Sequence, residues 1–218
     1  MSDALTFDLT RAIIYEITAS MAQHADYLTQ LDKAIGDGDH GRNMLTGFQS
    51  VQQAIEPLPP GTPGILLRSA GMTLVTTVGG ASGPLYSTAF IAAAIAAHWK
   101  EALQLADLAH MTKSAADALA RRGRCRLGDK TILDALDPAA RALAAAAAAN
   151  QSLLYGLQAA ADAARAGMEA TTPMVARCGL AMQYGPGSAG HQDPGATSCY
   201  LMFDAAVRTF RRLCPQAR

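Results

Sequence analysis

The sequence has no CxxC pair and no Cys/His cluster at zinc-binding spacing; its four cysteines, Cys125, Cys178, Cys199 and Cys214, are scattered. This excludes a disulfide framework and a structural zinc as organising devices, and makes reduced cytosolic thiols the economical reading. Net charge is also missing: Lys+Arg 18 against Asp+Glu 18 gives +0, so no global field draws the chain to nucleic acid or to an anionic membrane. Neither GxSxG nor HExxH occurs, which leaves hydrolytic and nucleophilic chemistry without support. The opening MSDALTFDLTR lacks a basic stretch followed by an apolar core, so no export signal is read there. The longest uncharged run lies between Arg68 and Lys100, but Gly79-Gly80 and Gly83-Pro84 divide it. Neither half reaches the ~20 strongly apolar residues of a membrane span.

What is present is a chain of 218 residues with 50% hydrophobic and 17% charged residues, the balance of a compact fold. One domain over 1–218 is expected, its core running from about 5 to 214. Ile14, Ile17, Met21, Leu28, Leu31 and Ile35 recur at helical spacing, as do Met44, Leu45, Phe48, Val51 and Ile55 after GDGDHG. Further helices are predicted from about Pro63 to Val78, from Ser82 or Gly83 to His98, and through Leu105–Leu119 to a left-handed cap at Gly123. Three more follow: Thr131 to Ala149 with a kink or later start at Pro138, one capped by Ser152 that runs to about Ala170, and Ala196 to Cys214. Thr172 to Gly195 has no clear period and is read as a lid. No alternating run is long enough for a sheet, so the fold class is all-α, with about eight helices alternating up and down.

In that arrangement every connection from an odd to an even helix lies at one end. GDGDHG, VGGASGP, RCRLGDKT and the segment ending GHQDPGA therefore converge on one rim. Asp32, Asp37 and Asp39 fall within eight residues, and three carboxylates share a small space only when a hard cation such as Mg²⁺ neutralises them. The competing reading is that these residues cap helix ends and form Asx-turns. His40, Gly41, Arg42 and Asn43 open the second helix, whose free N–H groups and dipole suit a phosphate. The turn Gly79-Gly80-Ala81-Ser82-Gly83 offers the same at the fourth helix, although it matches neither the P-loop nor the dinucleotide pattern. Gly128-Asp129-Lys130-Thr131 either caps the sixth helix or meets the ligand directly. Metal plus anion-binding helix starts suit phosphoryl transfer, which depends on positioning and charge neutralisation.

LDKAIGDGDHGRNMLTGF, GMTLVTTVGGASGPLYSTAF, GDKTILDALDPA and GHQDPGATS, in this order across nearly the whole chain, resemble the ADP-binding L subunits of dihydroxyacetone kinases. The resemblance implies an α-barrel of eight antiparallel helices with ADP or ATP and two Mg²⁺ ions at one rim. It implies that Asp32, Asp37 and Asp39 hold the ions, and that His40, Gly41, Arg42 and Asn43, with Gly80, Ala81 and Ser82, cradle the phosphates. Gly123, Thr131 and Ile132 would lie at the nucleoside, with Asp193, Pro194 and Gly195 closing the site. The ketose would sit on a separate K subunit, covalently linked to a histidine there, and a phosphotransferase M subunit would recharge the nucleotide in the cytoplasm. Leu180 and Gly187 stand where the family's lid carries arginines, which predicts weaker ADP retention and exchange with ATP. Two alternatives stay open: an ATP-exchanging kinase subunit for a four-carbon ketose such as erythrulose, and a non-catalytic nucleotide-sensing regulator.

Overall fold

The computed structural model describes residues 4–215, so the outermost ends of the domain expected over 1–218 lie outside the described residues. Eight α-helices follow one another: α1 (Phe7–Ile35), α2 (His40–Ile55), α3 (Pro63–Thr77), α4 (Ser82–Ala97), α5 (Leu105–Gly123), α6 (Leu133–Ala148), α7 (Leu153–Ala170) and α8 (Pro194–Leu213). Each packs on the next, and α8 packs back on α1, so the order of contacts closes a ring. The expected apolar stripes face inward: Ile14, Ile17, Met21 and Leu28 of α1 and Met44, Phe48, Val51 and Ile55 of α2 are buried in one hydrophobic cluster, Ile35 is buried as well, and Leu31 and Leu45 are half-buried. Among the described residues no helix is long and apolar enough to cross a membrane.

Local chemistry sets the helix starts. Thr6 Oγ1 accepts the N–H of Leu9, Ser152 Oγ that of Tyr155, and Asp193 Oδ2 that of Ala196, each satisfying an orphan donor of the first turn. Pro63 and Pro194 stand in first turns, where no N–H is missed. Pro138 sits inside α6, where its ring excludes the usual bond to the Asp134 carbonyl. That carbonyl faces Gly167 of α7 instead, so closely that a Cβ there would lie 2.0 Å from it.

Three expectations need correction, and a two-residue ladder accompanies the all-α fold. Gly123 is the last helical residue of α5, and Arg124, at φ 50 and ψ 38, is the left-handed cap, placing the Cys125 N–H on Ala120 O at 3.1 Å. Helix α6 begins at Leu133 rather than Thr131, because Asp134 accepts the N–H groups of Gly128 at 2.5 Å and Thr131 at 2.7 Å and wraps the preceding turn around itself. Two residues each do form a ladder, β1 (Leu5–Thr6) antiparallel to β2 (Ala102–Leu103), tying the start of α1 to the start of α5. The segment before α8 contains a 3-10 helix, Leu180–Ser188, broken by non-helical Gly185; three residues per turn over nine residues leaves no 3.6 period to read.

Candidate functional site

The Asp32, Asp37 and Asp39 carboxylates each offer an oxygen, and these lie within 4.8 Å of one another. Asp32, buried near the end of α1, sets the geometry: its Oδ2 accepts the N–H of Asp39 at 2.9 Å and of His40 at 3.1 Å. It thereby caps α2 from a neighbouring helix, while Asp39, at the N-cap position itself, makes no side-chain cap. The turn is tight because Gly36 and Gly38 allow it. A Cβ on Gly36 would lie 2.2 Å from Asp32 Oδ1, and Gly38 adopts φ +75 over the stem of Lys33. Burial raises the Asp32 pKa above the ordinary carboxylate value, and the charges of Asp37 and Asp39 add to this against the pull of the two N–H bonds. A cluster of three oxygen donors, one of them buried with its pKa raised, fits a hard divalent cation, and no soft ligand belongs to the set.

The Gly-rich turn before α4 meets this cluster. Gly80, at φ +63, lies so that a Cβ would be 3.9 Å from Asp39 Oδ2, and a Cβ on Gly79 would lie 3.6 Å from Asn43 Nδ2. Asn43 Nδ2 is buried there with no hydrogen-bond partner, and the N–H groups of Gly41 and Arg42 have none outside the helix among the described residues. Donors without acceptors beside a carboxylate cluster are what an anion carried with a cation would satisfy. The close approach of α2 to α1 depends on Gly41, where a Cβ would stand 1.9 Å from Ala25 O.

His40 joins three helices. Its Nδ1 bonds Ser82 Oγ at 3.1 Å and its Nε2 bonds Ser198 Oγ at 2.9 Å, while Tyr86 Oη meets Ser198 Oγ at 2.6 Å and donates to Gly195 O at 3.2 Å. Burial lowers the His40 pKa to about 4, so the imidazole is neutral at physiological pH, and burial raises that of Tyr86. With both ring nitrogens engaged, the His40 side chain organises the N-termini of α2, α4 and α8.

The third and fourth rim connections interlock. Lys130, buried and at φ 62, donates Nζ to Thr171 O at 2.7 Å and to His191 O, fastening both ends of the crossing from α7 to α8. Arg177 N donates to Asp129 O at 3.1 Å, and Thr171 Oγ1 accepts the N–H of Asp193 at 3.0 Å. Burial drives the Asp193 pKa up to about 7 despite nearby Lys130 and the Ala196 N–H. Thr131 caps α6 through Leu133 N at 3.2 Å. Ile132 packs under Gly195, whose Cβ would be 3.4 Å away, and Gly123 faces Leu85 and Cys125. Pro194 is buried in the first turn of α8. Below the rim, an apolar cavity of about 220 Å³ inside the ring reaches up to Tyr86, Ile132 and Cys199.

The structure thus brings together Asp32, Asp37, Asp39, His40–Asn43 and Gly80–Ser82, and links them to Asp193–Gly195 through His40, Ser198 and Tyr86. Gly123, Thr131 and Ile132 occupy the adjoining connection between α5 and α6. Sequence reading passed over Tyr86, Ser198, Asp134 and the inward fold of Lys130. The available signal for Ser198 was a polar residue in the inward row that continues with Leu201 and Ala205, all buried.

Comparison with known proteins identifies the family and the fold. The DAK2 domain description matches residues 34–208. The chain is 42% identical over 178 residues, 82% of its length and 85% of the relative's, to the ADP-binding subunit DhaL of the PEP-dependent dihydroxyacetone kinase of Escherichia coli (strain K12). It is 33% identical over 184 residues to the D-erythrulose kinase of Mycolicibacterium smegmatis, covering 84% of this chain and 32% of that protein. The crystal structure of the C. freundii dihydroxyacetone kinase in complex with AMP-PNP and Mg²⁺ superposes with a TM-score of 0.71 at 27% identity, over 94% of this chain and 34% of that one. A ring of eight helices, a carboxylate cluster at one rim and a match that spans most of its length place this chain in the DAK2 domain family.

Proposed function

We propose that the chain is the nucleotide-binding, phosphoryl-transfer subunit of a short-ketose kinase, acting as one domain in the cytoplasm on dihydroxyacetone or a close relative. The observation that carries this reading is the three-carboxylate cluster beneath the starts of α2 and α4, with the buried, unpartnered Asn43 amide beside it. Asp32, Asp37 and Asp39 would hold two Mg²⁺ ions, which would supply charge neutralisation for the phosphates. The N–H groups of Gly41 and Arg42, the Asn43 amide and the Gly80–Ser82 turn would orient the phosphates. Neutral His40 holds Ser82 in place without adding charge. Gly123, Thr131 and Ile132 would flank the nucleoside, and Asp193, Pro194 and Gly195 would close over it. A K-type partner would hold the acceptor ketose. An M-type phosphoryl carrier is the proposed donor, a reading in keeping with the PEP-dependent kinase named for the E. coli relative.

A second reading is favoured by the lid. Residues 178–190 carry no charged side chain, so closure adds no ion pair to a bound nucleotide. With the D-erythrulose kinase among the relatives, this supports an exchanging, ATP-dependent subunit. One experiment separates the readings: gentle purification, denaturation and identification of released nucleotide, with parallel dialysis against a Mg²⁺ chelator. ADP near one per chain, lost on chelation, supports the recharged subunit; no retained nucleotide but Mg²⁺-dependent ATP binding supports exchange. Binding of neither refutes both.

A further inference from the structure

Asp37 is the member of the carboxylate cluster that the rest of the protein holds least. Asp32 is tied by two N–H groups, and Asp39 is fixed through its own N–H and through its carbonyl, which accepts from Asn43 at 2.9 Å. The Asp37 carboxylate is exposed and has no hydrogen-bond partner among the described residues. Its place depends on the backbone of 36–38, where Gly36 is extended and Gly38 is left-handed. Among the described residues, one hydrogen bond reaches this turn from a distant part of the chain: Tyr184 Oη donates to Gly36 O at 3.1 Å, across 148 residues.

Tyr184 sits in the 3-10 helix of the lid. Left-handed Gly179 and Gly190 bound that segment, and Gly185, at φ 51, turns the chain just after Tyr184. The lid's base is pinned by buried Ser188, which donates to Gly185 O at 2.6 Å and accepts the Ala176 N–H at 2.9 Å. Leu180 and Met182 beside it are 47% and 54% exposed, so they fasten the segment little, and the Tyr184 hydroxyl makes the directional contact with the Asp37 turn.

We infer that Tyr184 is a positioning residue for the cation site: through the Gly36 carbonyl it fixes the peptide that leads into Asp37, so that seating of the lid and retention of the cation are one event. The inference rests on the proposed reading of the cluster as a cation site. Its consequence is specific, because loss of the hydroxyl weakens the nucleotide only when the cation is present.

The test uses the full chain and Tyr184→Phe, which keeps the ring and removes the hydroxyl. Mn²⁺ alone is titrated into nucleotide-free protein and followed by the electron paramagnetic resonance of the free ion. Release of N-methylanthraniloyl-ADP is timed with Mg²⁺ and with chelator. The expected result is Mn²⁺ binding weakened, and release with Mg²⁺ accelerated, by about threefold to tenfold, the effect of one neutral hydrogen bond. Release in chelator and the thermal midpoint should match wild type. Variant and wild type alike in both assays, or release accelerated equally with and without Mg²⁺, would overturn the inference while leaving the nucleotide reading standing. Wild-type protein that binds neither probe overturns both.

Discussion

His40 and Ser198, 158 residues apart in the chain, are joined by a 2.9 Å bond from Nε2 to Oγ that locks the start of α2 to the start of α8. Because His40 is buried and neutral, His40→Ala removes two hydrogen bonds and leaves the Ser82 hydroxyl to find a new partner, while Ser198 keeps Tyr86 and the Pro194 carbonyl. A loss of ~2–3 kcal/mol is expected in urea unfolding, together with weaker Mg²⁺-nucleotide binding. Stability within about 0.5 kcal/mol of wild type would refute the knitting role.

Asp32 and Asp37 should separate under mutation. Asp32→Ala deletes the cap of α2 and is expected to cost ~1–2 kcal/mol even without metal, whereas Asp37→Ala should leave metal-free stability unchanged to within about 0.5 kcal/mol. Both should abolish Mg²⁺-dependent nucleotide binding by calorimetry. Full phosphoryl transfer with a K-type partner in Asp37→Ala would remove the cation assignment.

The Asp193 carboxyl has its pKa raised to about 7 in the fold from 3.8, so the folded chain keeps a proton that the unfolded chain releases. This contribution to stability is complete below about pH 4 and is lost as pH rises through about 7. Asp193→Asn, a permanent mimic of the neutral form, should therefore gain on wild type by on the order of a few kcal/mol between these limits. Unfolding midpoints of metal-free protein at a series of pH values check it, and parallel curves would contradict it.

Gly41 and Gly187 form a matched pair of tests. A Cβ at Gly41 would meet the Ala25 carbonyl at 1.9 Å, so Gly41→Ala must push α2 away from α1, at a cost of ~3 kcal/mol. Nothing lies within 4 Å of a Cβ at Gly187, and Gly187→Ala should fall within about 0.5 kcal/mol of wild type. Thermal denaturation of both variants decides the point.

The helices were legible because burial imposes a repeat of three and four residues, as in the run from Ile14 to Ile35. The rim was legible because short connections make helices alternate, which gathers the Asp cluster and the Gly79–Ser82 turn at one end. What stayed hidden depends on pairs far apart in sequence. Asp32 reads as a ligand, yet it also caps α2; Lys130 reads as part of a turn that either caps α6 or meets the ligand, yet it turns inward to Thr171 and His191. Such contacts leave no periodic trace, and the same residue types would satisfy either role.

The cap that Asp32 lends to α2 has a consequence for transplanting the motif. The segment 36–41 carries two of the three clustered carboxylates, but its anchors belong elsewhere: Asp32 and Lys33 on α1, Ser82 on α4, Ser198 on α8 and Tyr184 on the lid. Grafted alone into another helical hairpin, GDGDHG would bring its acids without the scaffolding that keeps them close to Asp32 and to one another. A designer borrowing this centre would have to move five separated positions with it, which makes the whole ring, rather than the loop, the smallest unit that can be exchanged.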